Sequence, residues 1–273
     1  MTSDPSLSKI QSLNLLQLPG KIPTYYIPDH ADRAREIQAM LEDALVFFAD
    51  QLEVNADLSF ALLGPVEWAS VTEIPYGLPW VSYAPHITVF PATLDHPMGK
   101  LIIQNASTSS DLLKHNRSNE QIADDFVALI GFHELGHIIT WQYGINPPTA
   151  WISEILASFF AYAFMKAKYP HQATLWQTVC ELFTQVISPQ HTTLTDFETL
   201  YAGVGIENYI WYQGVFQRRV DAVFQAQGLD FLRLVKQALA ENRDSKDNDP
   251  LFLSMMEQIS PGTQTWVHQN KLL

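Results

Sequence analysis

The amino-acid sequence predicts an α+β protein. A small, mainly antiparallel sheet and a helix form its N-terminal half, and the C-terminal half is helical. Residues 57–104 consist of short apolar or alternating runs separated by prolines and glycines, which is typical of strands. Residues 31–52 and nearly everything from residue 118 onward repeat their apolar residues at helical spacing. A chain of 273 residues is long enough for one compact domain built from two subdomains.

The N-terminal half divides into a lead-in segment and an α/β subdomain. Residues 1–28 contain several turn formers and are predicted to be loosely structured, and residues 29–117 form the subdomain. Within it, residues 31–52 have an amphipathic helical pattern. The runs predicted to be strands are "LSFALLG" (58–64), "ASVTEI" (69–74), "WVSYA" (80–84), "HITVFPA" (86–92) and "KLIIQ" (100–104).

The helical half covers residues 118–273. Ser118 and Gln121 form a capping-box pattern at its start, and Gly144 is the predicted stop of this first helix. Thr149 is placed to cap the next helix, which Pro170 ends. The apolar periodicity predicts further helices at about 171–187, 207–227, 229–241 and 247–258.

The charge and cysteine content exclude several classes of protein. The 29 acidic residues against 16 basic ones give a net charge of −13, which argues against binding to nucleic-acid phosphates or to anionic membranes. The single cysteine, Cys180, excludes a disulfide framework and fits a reducing compartment. We see neither a signal peptide nor a membrane-length apolar run, so the predicted location is cytoplasmic.

The stretch "GFHELGHIITW" (131–141) contains a metal-binding pattern on the first helix of this half. His133 and His137 are four residues apart, so their rings lie on one helix face and can reach one zinc ion. Glu134 projects to the side of that face, where it can act as a general base on a zinc-bound water. The motif interrupts an apolar stripe in which unpaired imidazoles would be costly.

A catalytic zinc site needs a third protein ligand, and Glu154 is the candidate. It lies seventeen residues after His137 and is the only acidic residue of the next helix. A carboxylate in an otherwise apolar helix favours a nearby cation. The alternative interpretation is a solvated glutamate near a helix N-terminus, where the helix dipole favours negative charge.

The two motifs "HELGH" and "SEILAS" resemble those of the gluzincin metallopeptidases, the clan of thermolysin and the aminopeptidase N family. The resemblance implies His133, His137 and Glu154 as zinc ligands, Glu134 as base, and Ala157 as a small residue for close helix packing. It also implies a small sheet, an active-site helix and a helical subdomain, with the zinc site in the cleft between the halves. "PHITVFPAT" (85–93) is then the candidate edge strand for extended substrate. Ser158 stands where thermolysin relatives have an aspartate that orients a ligand histidine, and Asp124 and Asp125 lie too far upstream to replace it well.

A later segment, "ENYIWYQGVF" (207–216), is similar to the one that follows the metal ligands in aminopeptidase-like enzymes. In those enzymes a tyrosine just before a glycine stabilises the oxyanion. Tyr209 and Tyr212, which precede Gly214, are therefore the candidates for this role, and His191 is a weaker alternative. Aromatic residues at helical spacing are more often part of the core.

These observations predict a zinc-dependent metallopeptidase whose substrate is a peptide or a protein. One alternative keeps the zinc and the fold but lacks turnover, as a binding or regulatory protein. Another is a metal-free helical interaction protein in which the "HELGH" pattern is coincidental.

Overall fold

The computed structural model describes residues 6–83, 86–241 and 249–272. The chain is α+β, as predicted, with its sheet in the N-terminal half. It divides into two compact units, Met1–Gln142 and Tyr143–Leu273.

In the described part of the first unit, the sheet has five strands in the order β1-β2-β3-β5-β4. Their bounds are β1 Leu16–Leu18, β2 Thr24–Tyr26, β3 Ser59–Leu63, β4 Trp80–Tyr83 and β5 His86–Pro91. β2, β3 and β5 are parallel, whereas β1 and β4 flank them antiparallel. The sheet is therefore mixed and not mainly antiparallel. A helix at Ala31–Leu52 connects β2 to β3, and a segment with a helix at Pro65–Val71 and the strand β4 connects β3 to β5, so each parallel pair has the long connection that it needs.

The strand β5 corrects the prediction of an edge strand at residues 85–93. β5 pairs with β3 on one side and β4 on the other, so it lies inside the sheet. Its residues from 87 to 91 are all buried, and a strand covered on both faces has a continuous apolar sequence. β4 is the last strand in the order on that side.

The described residues of the first unit also form six α-helices. They are α1 Ser6–Ser12, α2 Ala31–Leu52, α3 Pro65–Val71, α4 Pro97–Asn105, α5 Ser110–Leu113 and α6 Asn119–Gln142, with a 3₁₀ turn at Ala106–Thr108. α3 and α4 replace the strands predicted at 69–74 and 100–104. Both begin with a proline at the first helical position, where its fixed φ favours a helix and its missing N–H is not needed. The lead-in segment contains α1, β1 and β2.

Helix α6 begins with the predicted capping box and runs through the core. The Gln121 amide donates to Ser118 Oγ at 3.2 Å, and the Ser118 amide donates to Gln121 Oε1 at 2.9 Å. The side chains from Phe126 to Thr140 are buried throughout. At Gly131 a Cβ would lie 2.9 Å from the Phe90 ring of β5, so glycine permits the close contact between α6 and the sheet.

The second unit is helical; α6, which the prediction placed in the helical half, belongs to the first unit. Its helices are α7 Ala150–Lys168, α8 Pro170–Val186, α9 Leu194–Leu200, α10 Ile206–Gln227, α11 Asp230–Glu241, α12 Asp249–Ile259 and α13 Thr263–Gln269, with a 3₁₀ turn at Tyr201–Val204. The sequence patterns missed the short helices α9 and α13. At Gly214 of α10 a Cβ would lie 2.4 Å from the Cys180 carbonyl oxygen of α8, so these two helices pack at backbone distance. None of the helices in the described ranges is long and apolar enough to cross a lipid bilayer.

Candidate metal centre

The two histidines of the motif are buried on α6. His133 and His137 stand one turn apart with ring centroids 4.8 Å from each other and ring planes nearly perpendicular. Glu134, beside the first histidine, is also buried. Both imidazoles lie on one helix face, as the spacing predicts, and each can offer one ring nitrogen to the same ion.

Glu154 lies in the second turn of α7 and is fully buried, with 0% of its surface exposed. The interpretation of Glu154 as a solvated glutamate near a helix N-terminus is therefore wrong. Tyr201 donates from its hydroxyl to Glu154 Oε1 at 2.8 Å. Tyr209 Oη and Gln213 Nε2 donate to Glu154 Oε2 at 3.0 and 2.7 Å. Burial of this carboxylate is thus accompanied by hydrogen bonds to both oxygens.

The ligand atoms of His133, His137 and Glu154 all lie within 4.8 Å of one another. A tetrahedral zinc ion with bonds of about 2.1 Å separates its ligand atoms by about 3.4 Å. Each pair therefore needs to approach by about 1.4 Å or less, the difference between 4.8 and 3.4 Å. Small side-chain rotations supply such a movement, and two imidazoles with a carboxylate are a donor set that zinc prefers. The residues present fit the metal that the motif implies.

The two tyrosines predicted to stabilise an oxyanion occupy different places. Tyr209 donates to Glu154, as described above. Tyr212 is fully buried, packs edge-on against Phe197 and donates to the Thr193 carbonyl oxygen at 2.7 Å. Burial raises the pKa of the Tyr212 hydroxyl well above its usual value, and the nearby Asp196 carboxylate adds to this. The ring nitrogen Nδ1 of His191 lies 3.8 Å from Asp196.

The residues considered as partners of the ligand histidines are also placed. Ser158 is buried on α7. Asp124 pairs with Arg33 at 2.8 Å, and Asp125 pairs with Arg117 near the start of α6. Burial raises the pKa of Asp124, although the Arg33 charge opposes this. Both aspartates therefore serve ion pairs near the start of their helix.

Sequence reasoning missed two residues that touch Glu154. Gln213 follows Tyr209 by four positions on α10, so the two side chains share a helix face, and this spacing is a signal that could have identified it. Tyr201 follows α9 with a φ of 36° and a ψ of −106°. No local sequence pattern predicts that non-glycine conformation.

No protein-family model matches this chain, and comparisons with curated proteins and with solved structures find no match.

Proposed function

We propose that this chain is a zinc-dependent hydrolase that cleaves peptide bonds, with His133, His137 and Glu154 as metal ligands and Glu134 as general base. The observation that carries the proposal is the convergence of three buried ligand atoms to within 4.8 Å of one another. Buried imidazoles and carboxylates at such distances are favourable when a cation joins them. The motif residue Glu134 is next to the first of these ligands in the sequence.

The roles of the side chains follow from their chemistry. Bound zinc supplies Lewis acidity, which acidifies water and polarises a carbonyl group. His133 and His137 bind as neutral imidazoles, each through one ring nitrogen. The Glu134 carboxylate accepts the proton of the attacking water and then delivers it to the nitrogen of the leaving amine. Because Glu134 is buried, its interactions with the reacting groups are only weakly screened by solvent.

The choice of peptide bonds as substrate rests on the resemblance to the gluzincin metallopeptidases. That resemblance consists of "HELGH" and of "SEILA" around Glu154. The buried position of Glu154 supports this alignment, because the second motif requires its glutamate to meet the two histidines.

A second candidate function is zinc binding without turnover, as a binding or regulatory protein. The hydroxyl groups of Tyr209 and Tyr212 favour it, because they donate to Glu154 and to the Thr193 carbonyl oxygen. A hydroxyl has a single hydrogen to donate, so neither tyrosine serves an oxyanion while these bonds last.

Metal analysis tests the site. We expect one zinc per wild-type chain and a loss of zinc in His133→Ala. His171→Ala is the matched control, because His171 is an exposed histidine on α8. Full zinc content in His133→Ala, or no zinc in the reconstituted wild type, would contradict the proposed centre.

Peptide cleavage tests the reaction. Glu134→Gln should keep its zinc and lose activity on a fluorogenic peptide library by about 10²–10⁴-fold, the usual contribution of a general base. A wild type that holds zinc and cleaves no member of the library would favour the binding protein over the hydrolase.

A further inference from the structure

The carboxylate of Glu154 is surrounded by three hydrogen-bond donors. Tyr201 donates to Oε1, whereas Tyr209 and Gln213 donate to Oε2, at distances of 2.7–3.0 Å. We call these three residues the donor cage. All three groups act as donors here, so they orient the ionised carboxylate, which is the form that binds a metal.

Two members of the donor cage are held by a regular helix. Tyr209 and Gln213 are four residues apart on α10, so both side chains leave the same face and meet the same oxygen. α10 is fixed in turn against α8, because Gly214 brings its backbone close to the Cys180 carbonyl. The Oε2 side of the carboxylate is therefore anchored to a rigid element.

The third member reaches Glu154 from the surface. Tyr201 is 41% exposed, and its φ of 36° is rare for a residue with a side chain. Such conformations persist where the surrounding structure holds them, and they cluster at functional sites. On the preceding helix α9, Glu198 accepts a hydrogen bond from the Ala150 amide at 2.8 Å. Ala150 and Glu154 are one helical turn apart on α7. Glu198 of α9 therefore binds the start of this helical turn, and Tyr201, in the 3₁₀ segment after α9, binds its end.

We propose that the donor cage of Tyr201, Tyr209 and Gln213 positions the Glu154 carboxylate for metal binding. The inference rests on the metal site of the proposed function and deepens it. It gives Tyr209 a role on the ligand in place of the predicted role on the oxyanion, because the Tyr209 hydroxyl hydrogen already points to Oε2. Partners that orient metal ligands in this way are needed for full metal affinity.

The test measures metal affinity in Tyr201→Phe, Tyr209→Phe and Gln213→Leu. Each variant should bind zinc about 10–100-fold more weakly in a chelator competition, the usual effect of losing such a partner. The visible spectrum of the Co²⁺-loaded variants should also change, because a loosened carboxylate alters the coordination of the ion. Tyr162→Phe is the matched control. Its hydroxyl, on the same helix as Glu154, donates to Asp221 at 2.5 Å, and we expect its zinc affinity and Co²⁺ spectrum to match the wild type.

A double-mutant cycle separates positioning from general destabilisation. In a Glu154→Gln background, Tyr209→Phe should not weaken the residual zinc affinity further, because its effect passes through the carboxylate. An additional loss in that background, or cage variants that match the wild type in affinity and spectrum, would overturn the inference. Wild-type protein that binds no metal would overturn the inference and the proposed function together. The wild type could instead bind zinc but cleave no peptide, while the cage variants bind zinc more weakly. That result would support the inference and refute only the peptidase function.

Discussion

The pH dependence of stability can be predicted from one buried histidine, His96. It is the N-cap of α4, is 2% exposed, and accepts a hydrogen bond at Nδ1 from the Gly99 amide at 3.2 Å. The acceptor nitrogen must keep its lone pair, so the cap requires a neutral ring. A Cβ on Gly77 would lie 2.1 Å from His96 Cγ, so the backbone packs closely against the ring and leaves it little room to turn away.

The magnitude follows from the shift in pKa. Burial lowers the pKa of His96 from 6.5 to about 4, the charge of Lys100 adds to this, and the charge of Asp95 opposes it. As the pH falls, the His96 ring therefore takes up a proton in the unfolded chain at a higher pH than in the folded chain. Stability from this group is complete above pH 6.5 and is lost as the pH falls from 6.5 towards 4. At about 1.4 kcal/mol per pKa unit, the whole effect is about 3 kcal/mol, and most of it is lost by about pH 4.5.

Urea unfolding of the metal-free protein at pH 7 and pH 4.5 measures this effect. His96→Asn is the matched variant, because asparagine can cap a helix but does not titrate in this range. The free energy of unfolding of the wild type should fall by about 2–3 kcal/mol more than that of His96→Asn between the two pH values. Titrating groups that do not interact with His96 contribute equally to both proteins and cancel in the difference. An equal loss in the two proteins would refute the reasoning.

Three further predictions concern the second unit. Gly214→Ala should lower the free energy of unfolding in urea by about 1–3 kcal/mol despite the better helix propensity of alanine, because its Cβ meets the backbone of α8. Gly203→Ala is the control and should be nearly neutral, because a Cβ there meets nothing within 4 Å. Equal effects of the two substitutions would disprove the argument. Glu198→Ala should lower the free energy of unfolding by about 1 kcal/mol in the same assay, because it loses the hydrogen bond from the first amide of α7. Thr149→Ala should lower it less, because Thr149 makes no side-chain cap. A larger loss in Thr149→Ala than in Glu198→Ala would contradict this. Burial raises the pKa of the Cys180 thiol, and a neighbouring carboxylate makes a smaller contribution in the same direction. A thiol reagent should therefore label Cys180 only after the protein unfolds. Rapid labelling of the native protein would show that the thiol is accessible.

The regular elements of this chain were predictable where one sequence pattern dominates. The capping box at Ser118 predicted the start of α6, and Thr149 and Pro170 marked the predicted limits of α7. "KLIIQ" was wrongly predicted as a strand, because a run of five apolar and polar residues fits both the two-residue period of a strand and the 3.6-residue period of a helix. The preceding residues His96 and Pro97 are the N-cap and the first residue of α4, and this helix-start signal favours a helix over a strand for the segment.

The capping of α7 shows the limit of local rules. Thr149 occupies the N-cap position with an extended backbone, but its side chain makes no capping bond. Glu198, 48 residues away in the chain, accepts the bond from the Ala150 amide. The first helical amide needs a partner, and only the packing of α9 determines which side chain supplies it.

The sequence by itself determined the candidate ligands, because His133 and His137 share a helix face through local geometry alone and Glu154 is the only acidic residue of its helix. Only the tertiary structure decided that Glu154 is buried near both histidines and that Tyr201, Tyr209 and Gln213 orient it. Helical periodicity fixes which side chains share a face, because the backbone repeats every 3.6 residues. Contacts between distant segments depend on how whole helices pack, and no repeat in the sequence encodes those distances.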